Sequence, residues 1–368
     1  MEDFLDDELW LPYLEPKILR HGRPVRGEDM PNFKQESKEV NLELAYLWSS
    51  KGLLALFDRP PPGNYRCRVF NCYKNNSTDR QIGDRRSVNA SELHVRGPSK
   101  NLPGGYLLTS ISIPRGHFAA GSITDRKDFY HQARVSRSRA HSNCLPFSYP
   151  RSLFAGLPAL AELEAEEDER RGGRAKVGDQ YHRVHLGSSL APFPSGDVVP
   201  GFASLYQGDH VGVEFALSSH QSLLQSAGLL PDEQHVRGHA PFPLGPRYQC
   251  LVIDDFVTIS VQKVGSPSLM TESAIALAKA KAAYEEHGVL GSPEKDVTAS
   301  DSFTAIGTRV DSSEQARSRG VAVVSSPPEK IASLVSYCSC FPPPCDFPSY
   351  HWLLDVCSSS QEVPELCA

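Results

Sequence analysis

Two adjacent aspartates sit where the surrounding residues demand burial. In YQCLVIDDFVTISVQ (248–262), Leu251, Val252, Ile253, Phe256, Val257 and Ile259 form β-rich apolar runs on either side of Asp254 and Asp255. The pattern predicts a buried hairpin with the acidic pair at its turn. Two carboxylates so close repel one another unless a cation sits there. Paired carboxylates on hard turns are one way Mg²⁺ is held while substrate phosphates complete its shell. A simple Asp–Asp hairpin turn fits the same segment equally well. A third acid, Asp125, ends a short apolar run at 118–125 and precedes Arg126, Lys127, Asp128, Phe129, Tyr130, His131 and Gln132. A strand-end carboxylate beside the hairpin would complete a ligand set for two ions, able to activate a 3′-hydroxyl and stabilise a leaving pyrophosphate.

The elements that must position these acids are legible as pattern. Residues 1–35 are charged and proline-punctuated and read as an arm with little core of its own. Val40, Leu42, Leu44, Leu47, Leu53 and Leu54 predict a helix over 37–56, stopped by Pro60, Pro61 and Pro62. Residues 65–73 read as a strand, the polar stretch Lys74–Asp79 as a hairpin tip and 80–84 as the return strand. Gly104 and Gly105 mark a turn. The segment 152–200 reads as an insertion, a charged helix broken by Gly172 and Gly173 and then a Gly/Pro/Ser-rich stretch. A helix over 210–228 is defined by Val211, Phe215, Ala216, Leu223 and Leu224 and closed by Gly228. Ser268 or Thr271 can cap a second helix that runs to His287 and Gly288, and a strand follows at 302–310. This order suits an α+β fold with a palm-like antiparallel sheet better than a doubly wound one.

Composition narrows the function classes. The chain of 368 residues has net charge −6, which argues against a basic nucleic-acid binder. The charge is uneven, however: residues 64–151 hold 15 basic and 5 acidic side chains, net +10, inside an otherwise acidic chain. No apolar run has the length of a bilayer span, and MEDFLDDELW lacks the features of a secretory signal. The expectation is an intracellular protein, cytoplasmic or nuclear, with its nine cysteines reduced. G-x-S-x-G, G-x-x-x-x-G-K-[ST] and H-E-x-x-H motifs are absent.

Several blocks, in order, carry a resemblance. DRKDFYHQ (125–132) is similar to the D-x-K-D-A-F-x-Q stretch of retrotransposon reverse transcriptases, and LVIDDF (251–256) to their Y-x-D-D hairpin. RQIGDRRSVN (80–89) resembles the fingers block R-x-x-x-D-x-R-x-x-N, and LYQGDHVGVEFA (205–216) the P-Q-G block. HGVLGSPEKDV (287–297) resembles the helix–turn–lysine block, FTAIGTRVD (303–311) the primer grip, and VVSSPPEKIASL (323–334) the segment where palm gives way to thumb. The resemblance, to gypsy-like or DIRS-like elements, covers roughly residues 40–335. It implies a right-hand polymerase with fingers and a ferredoxin-like palm, C-terminally truncated. The implied divisions are an arm at 1–36, fingers at 37–117, a palm at 118–311, a palm–thumb junction at 312–337 and an unstructured Cys/Pro/Ser-rich tail at 338–368.

By position, the resemblance implies that Asp125, Asp254 and Asp255 bind two Mg²⁺ ions. Tyr130 would be the steric gate against a ribose 2′-hydroxyl, and Gln207 would contact the incoming nucleotide or template. Lys74 and Arg80 would grip the triphosphate, and Lys295 would protonate or neutralise the leaving pyrophosphate. The implied function is RNA-directed DNA polymerisation from deoxynucleoside triphosphates on a primed RNA or DNA template. The alternative is a catalytically inactive remnant that binds nucleic acid. The sequence departs from the family in several places: Val252 replaces the usual Tyr, Phe129 the small residue before the gate, and Tyr206 the usual Pro. After Leu334 the chain carries no positive charge, whereas a thumb needs cations to hold a duplex backbone. Cys338, Cys340, Cys345, His351 and Cys357 in that tail do not match zinc-knuckle spacing, and free thiols are expected.

Overall fold

Gly52, with φ of +67°, divides what the apolar pattern ran together as one helix over 37–56. The helix ends at Ser50 and a strand begins at Leu54, because the left-handed glycine reverses the chain between them. The computed structural model describes residues 2–21, 36–61, 66–171, 196–332 and 361–364. In chain order the first elements are α1 (Asp7–Leu14), α2 (Lys38–Ser50), β1 (Leu54–Phe57), β2 (Arg68–Asn75), β3 (Thr78–Asp84), α3 (Arg86–Asn89) and β4 (His117–Asp125). They are followed by α4 (Phe129–Gln132), α5 (Arg137–Ser142), β5 (Tyr149–Pro150), α6 (Pro158–Arg171), β6 (Asp197–Phe202) and α7 (Gly212–Ser226). The last are β7 (Arg247–Val252), β8 (Asp255–Lys263), α8 (Glu272–Glu286), β9 (Val297–Ser300), β10 (Ser302–Ala305), β11 (Thr308–Asp311), α9 (Glu314–Ser318), β12 (Val321–Ser325) and β13 (Gln361–Pro364). The chain divides into two units, Met1–Gly97 with Asp128–Ala216, and Pro98–Lys127 with Leu217–Ala368.

In the first unit, β1, β6 and β5 form a small antiparallel sheet and β2–β3 a separate hairpin. Its core is aromatic: Trp48 lies 4.9 Å from Phe202, which lies 4.6 Å from Tyr206. Part of the expected insertion belongs to that core, because α6 buries Ala159, Leu160 and Leu163 there while its acidic face stays exposed. The rest of the insertion, 172–195, lies outside the described residues. The N-terminal segment is likewise more than an arm. Leu9, Pro12 and Tyr13 are buried, and the carbonyls of Pro12 and Tyr13 accept hydrogen bonds from the buried Arg139.

Arg139 belongs to a buried charge cluster. Its guanidinium donates to Asp209 Oδ2 at 2.7 Å, and Arg85 approaches the same oxygen at 3.3 Å and Glu92 at 3.6 Å. Burial pushes the Asp209 carboxyl up, but Arg85 and Arg139 outweigh it and hold the group below its ordinary range. For Glu92, burial wins and the carboxyl is raised. Asp209→Asn should therefore destabilise the first unit by about 3–5 kcal/mol, the cost of breaking a buried ion pair. Arg86→Gln, which breaks a half-exposed pair with Asp84, should cost less than about 1 kcal/mol. Urea unfolding of the two variants checks the contrast.

The second unit holds a four-stranded antiparallel sheet in the order β7-β8-β4-β9. Taken along the chain, the strands and the helices α7 and α8 follow a βαββαβ path. This is the antiparallel, palm-like sheet expected from the element order. Thr271 caps α8 by accepting from the Ala274 N–H, and Gly288 closes the helix at φ of +65°. The expected single strand at 302–310 is instead the β10–β11 hairpin, because Ile306 and Gly307 both adopt positive φ and turn the chain. Within the stretch read as a tail, Gln361–Pro364 pair with β12. The five tail residues weighed as zinc ligands lie outside the described residues.

Candidate active site

The register of β4 against β8 fixes the site. The two strands pair without a break from His117↔Lys263 to Asp125↔Asp255, so the last rung sets two aspartates directly opposite each other. Asp254 lies in the tight turn between β7 and β8, one residue away. Carboxylate oxygens of Asp125, Asp254 and Asp255 all fall within 4.8 Å of one another. Like charges facing each other across a ladder are destabilising, and apolar strands hold these in place. The result is visible in Asp255, whose carboxyl is pushed up to about 6 by burial and then by the charges of Asp254 and Asp125, against the pull of Lys295.

Lys295 supplies the compensating cation. It ends a short turn at Pro293–Lys295 and donates to Asp125 Oδ2 at 2.5 Å. The loop is tied to the strand end, since Lys127 N–H donates to the Leu290 carbonyl and Ser292 N–H to that of Asp125. That hydrogen bond and the three carboxylates raise the Lys295 pKa, so its ammonium stays charged at neutral pH.

The donor set suits a hard divalent cation. Mg²⁺ takes oxygen ligands at about 2.0–2.1 Å in a near-octahedral shell. Three carboxylates converge here and can coordinate a divalent metal such as Mg²⁺, with one lysine ammonium paired to Asp125 beside them.

The acidic turn is itself held on two sides. Ile253 adopts φ of +54°, a costly conformation for a β-branched residue. Its carbonyl lies 2.8 Å from Nδ1 of the buried His220, on α7. The carbonyl of Asp254 accepts from the Arg126 N–H at 3.0 Å. The Arg126 guanidinium in turn lies 3.8 Å from the centre of the Tyr284 ring, whose hydroxyl is 2.6 Å from His220 Nε2.

The sequence-derived candidates thus fall into two groups. Asp125, Asp254, Asp255 and Lys295 come together in the second unit. Lys74, Arg80, Tyr130 and Gln207 belong to the first. Lys74 and Arg80 are exposed on the β2–β3 hairpin, and Lys74 lies 4.0 Å from Asp128. Asp128 makes no side-chain cap to α4, and Arg86 pairs with Asp84. Phe129 is buried and Tyr130 half-buried. The blocks 80–89 and 205–216 meet: Gly83 N–H donates to the Gln207 carbonyl and Asn89 to that of Gly208. Both glycines are required there. A Cβ at Gly83 would overlap the Tyr206 ring, and one at Gly208, where φ is +119°, would overlap the Gly83 carbonyl.

Arg126, His220 and Tyr284 escaped the sequence reading. The available signal was His220, a polar residue between Ala216 and Leu224 on the apolar stripe of its helix.

No protein-family model matches the chain, and no curated protein matches it. Solved structures do. The foamy viral protease-reverse transcriptase dRH in complex with ds DNA aligns over 91% of this chain at a TM-score of 0.51 and 11% identity. A second foamy viral protease-reverse transcriptase structure, in complex with dsDNA, aligns over 90% of this chain at 0.47 and 10% identity. The fold is distantly reverse-transcriptase-like. The present chain spans 42% of the first of those chains and 54% of the second. Among the described residues, no helix is long and apolar enough to cross a membrane.

The raised Asp255 pKa has a consequence for stability. The unfolded chain ionises this group near pH 4, whereas the folded protein resists until about 6. Folding is therefore penalised as pH rises from 4 through 6. Asp255→Asn should unfold at a higher temperature than the parent at pH 7.5 in chelator, by about 2–4 °C for each 1 kcal/mol relieved. The difference should vanish near pH 4, and Mg²⁺ should raise the midpoint of the parent alone. Thermal melts across pH, with and without Mg²⁺, check this.

Proposed function

We propose that this chain carries the polymerase site of a reverse transcriptase, transferring nucleotides from deoxynucleoside triphosphates to a primer 3′-hydroxyl on a nucleic-acid template. The observation that carries the reading is the convergence of Asp125, Asp254 and Asp255 at the end of the β4·β8 ladder, on a βαββαβ sheet. The finer division into fingers and palm, and the descent from a retrotransposon element, rest on the ordered sequence blocks. Because the chain spans under half of the first matched structure, the activity is proposed for this part of such an enzyme.

The three aspartates would hold two Mg²⁺ ions, whose chemistry when bound is to activate the attacking hydroxyl and neutralise phosphate charge. The remaining roles belong to the chain. Asp255 must be deprotonated to serve as a ligand, so metal binding should weaken as pH drops through about 6. Lys295 remains protonated and is placed to neutralise charge developing on the pyrophosphate. In the first unit, Lys74 and Arg80 are assigned to the triphosphate, Tyr130 to sugar discrimination and Gln207 to the nucleotide or template. Gln207 offers a buried Oε1 that has no hydrogen-bond partner among the described residues.

Primer extension on a homopolymer RNA template with Mg²⁺ tests the proposal. Asp254→Asn should lower the rate by at least about 10²–10³-fold, and extension that survives it contradicts the assignment. Tyr130→Ala should increase ribonucleotide incorporation. A folded parent that binds primed template without extending it would favour the non-catalytic reading.

A further inference from the structure

His220 lies on α7, buried, at a point where three elements of the second unit converge on the acidic turn. Its hydrogen bonds define its state. The Ile253 carbonyl can only accept, so Nδ1 carries the proton. With the imidazole neutral, Nε2 is the acceptor, and the Tyr284 hydroxyl donates to it. Burial favours that neutral form by pushing the His220 pKa down to about 4. Tyr284 comes from α8, and its ring face carries the Arg126 guanidinium. Arg126 closes the circuit by donating its own backbone N–H to the Asp254 carbonyl. Gly291 keeps the necessary space, since a Cβ there would come within 2.9 Å of the guanidinium.

Two consecutive carbonyls of the turn, Ile253 and Asp254, are therefore each pinned, one by an imidazole and one by a backbone N–H. The two anchors are joined through Tyr284. The turn needs such anchors, because Ile253 sits at positive φ and three carboxylates repel beside it.

We propose that His220, acting with Tyr284 and Arg126, is a positioning residue that holds the Ile253–Asp254 turn so that Asp254 is presented to a divalent metal with Asp125 and Asp255. This rests on the reading of the acidic cluster as a metal site and identifies the residues that set its geometry. His220 touches neither metal nor substrate. Its loss acts through the turn.

The test measures binding of Mn²⁺ alone by electron paramagnetic resonance, together with kcat and KM for primer extension, on the full chain. His220→Leu fills the same space without a donor and should weaken Mn²⁺ binding about 10- to 100-fold, the usual cost of losing a group that orients a metal ligand. It should lower kcat with little change in KM for the nucleotide. His220→Asn keeps an N–H near the Nδ1 position and should recover most of the loss. Tyr284→Phe, which removes a single hydroxyl, should give an intermediate loss and replaces His220→Leu if that variant fails to fold. Loss in His220→Leu or Tyr284→Phe with recovery in His220→Asn supports the proposal. Parent-like Mn²⁺ affinity and kcat in Tyr284→Phe and His220→Leu, or Asn no better than Leu, overturns it. A parent that binds no Mn²⁺ overturns instead the reading of the cluster as a metal site, and the positioning role falls with it.

Discussion

The constraint on which the site depends is the mutual repulsion of Asp125, Asp254 and Asp255. An unbroken antiparallel register forces the first and last to be partners on the final rung of the β4·β8 ladder. A one-residue slip would relieve the clash, but it would turn Val257 and Ile259 away from the core they share and is not available. The apolar packing of the sheet thus holds the charges together against their preference.

What surrounds the cluster answers that repulsion. Lys295 places one ammonium on Asp125 and is brought there by a loop hydrogen-bonded to the same strand end. The turn that carries Asp254 is tied to both helices of the sheet, through His220 on α7 and Tyr284 on α8. One lysine cannot balance three carboxylates, and that imbalance adds to burial in raising the Asp255 pKa. A divalent cation would remove it, which links the electrostatics of the cluster to the chemistry proposed for it.

The sequence showed the acids clearly because they break an apolar pattern: Asp254 and Asp255 interrupt a run that otherwise predicts only burial. The capping of α8 and the βαββαβ order were legible for similar local reasons, in Thr271, Gly288 and the turn at Asp254. Other features depend on partners distant in sequence. Gly52 divided a helix that apolar periodicity had joined, and Ile306–Gly307 turned one expected strand into a hairpin. Arg139 and Asp209 stand in no local pattern that marks them for burial, yet they are buried against each other, 70 residues apart in sequence. Leu9, Pro12 and Tyr13 looked like part of an arm because nothing local shows that Pro12 and Tyr13 will satisfy Arg139. Net charge is uninformative for another reason, since −6 averages a block of +10 with acidic segments around it.

The central claim is that these three carboxylates are held together in order to bind a divalent metal. Anomalous diffraction from crystals grown with Mn²⁺ tests it most directly. The account predicts a peak bounded by carboxylate oxygens of Asp125, Asp254 and Asp255, with the Lys295 ammonium displaced from or sharing Asp125. Saturating Mn²⁺ with no peak at that position, and Lys295 still paired with Asp125, would contradict it.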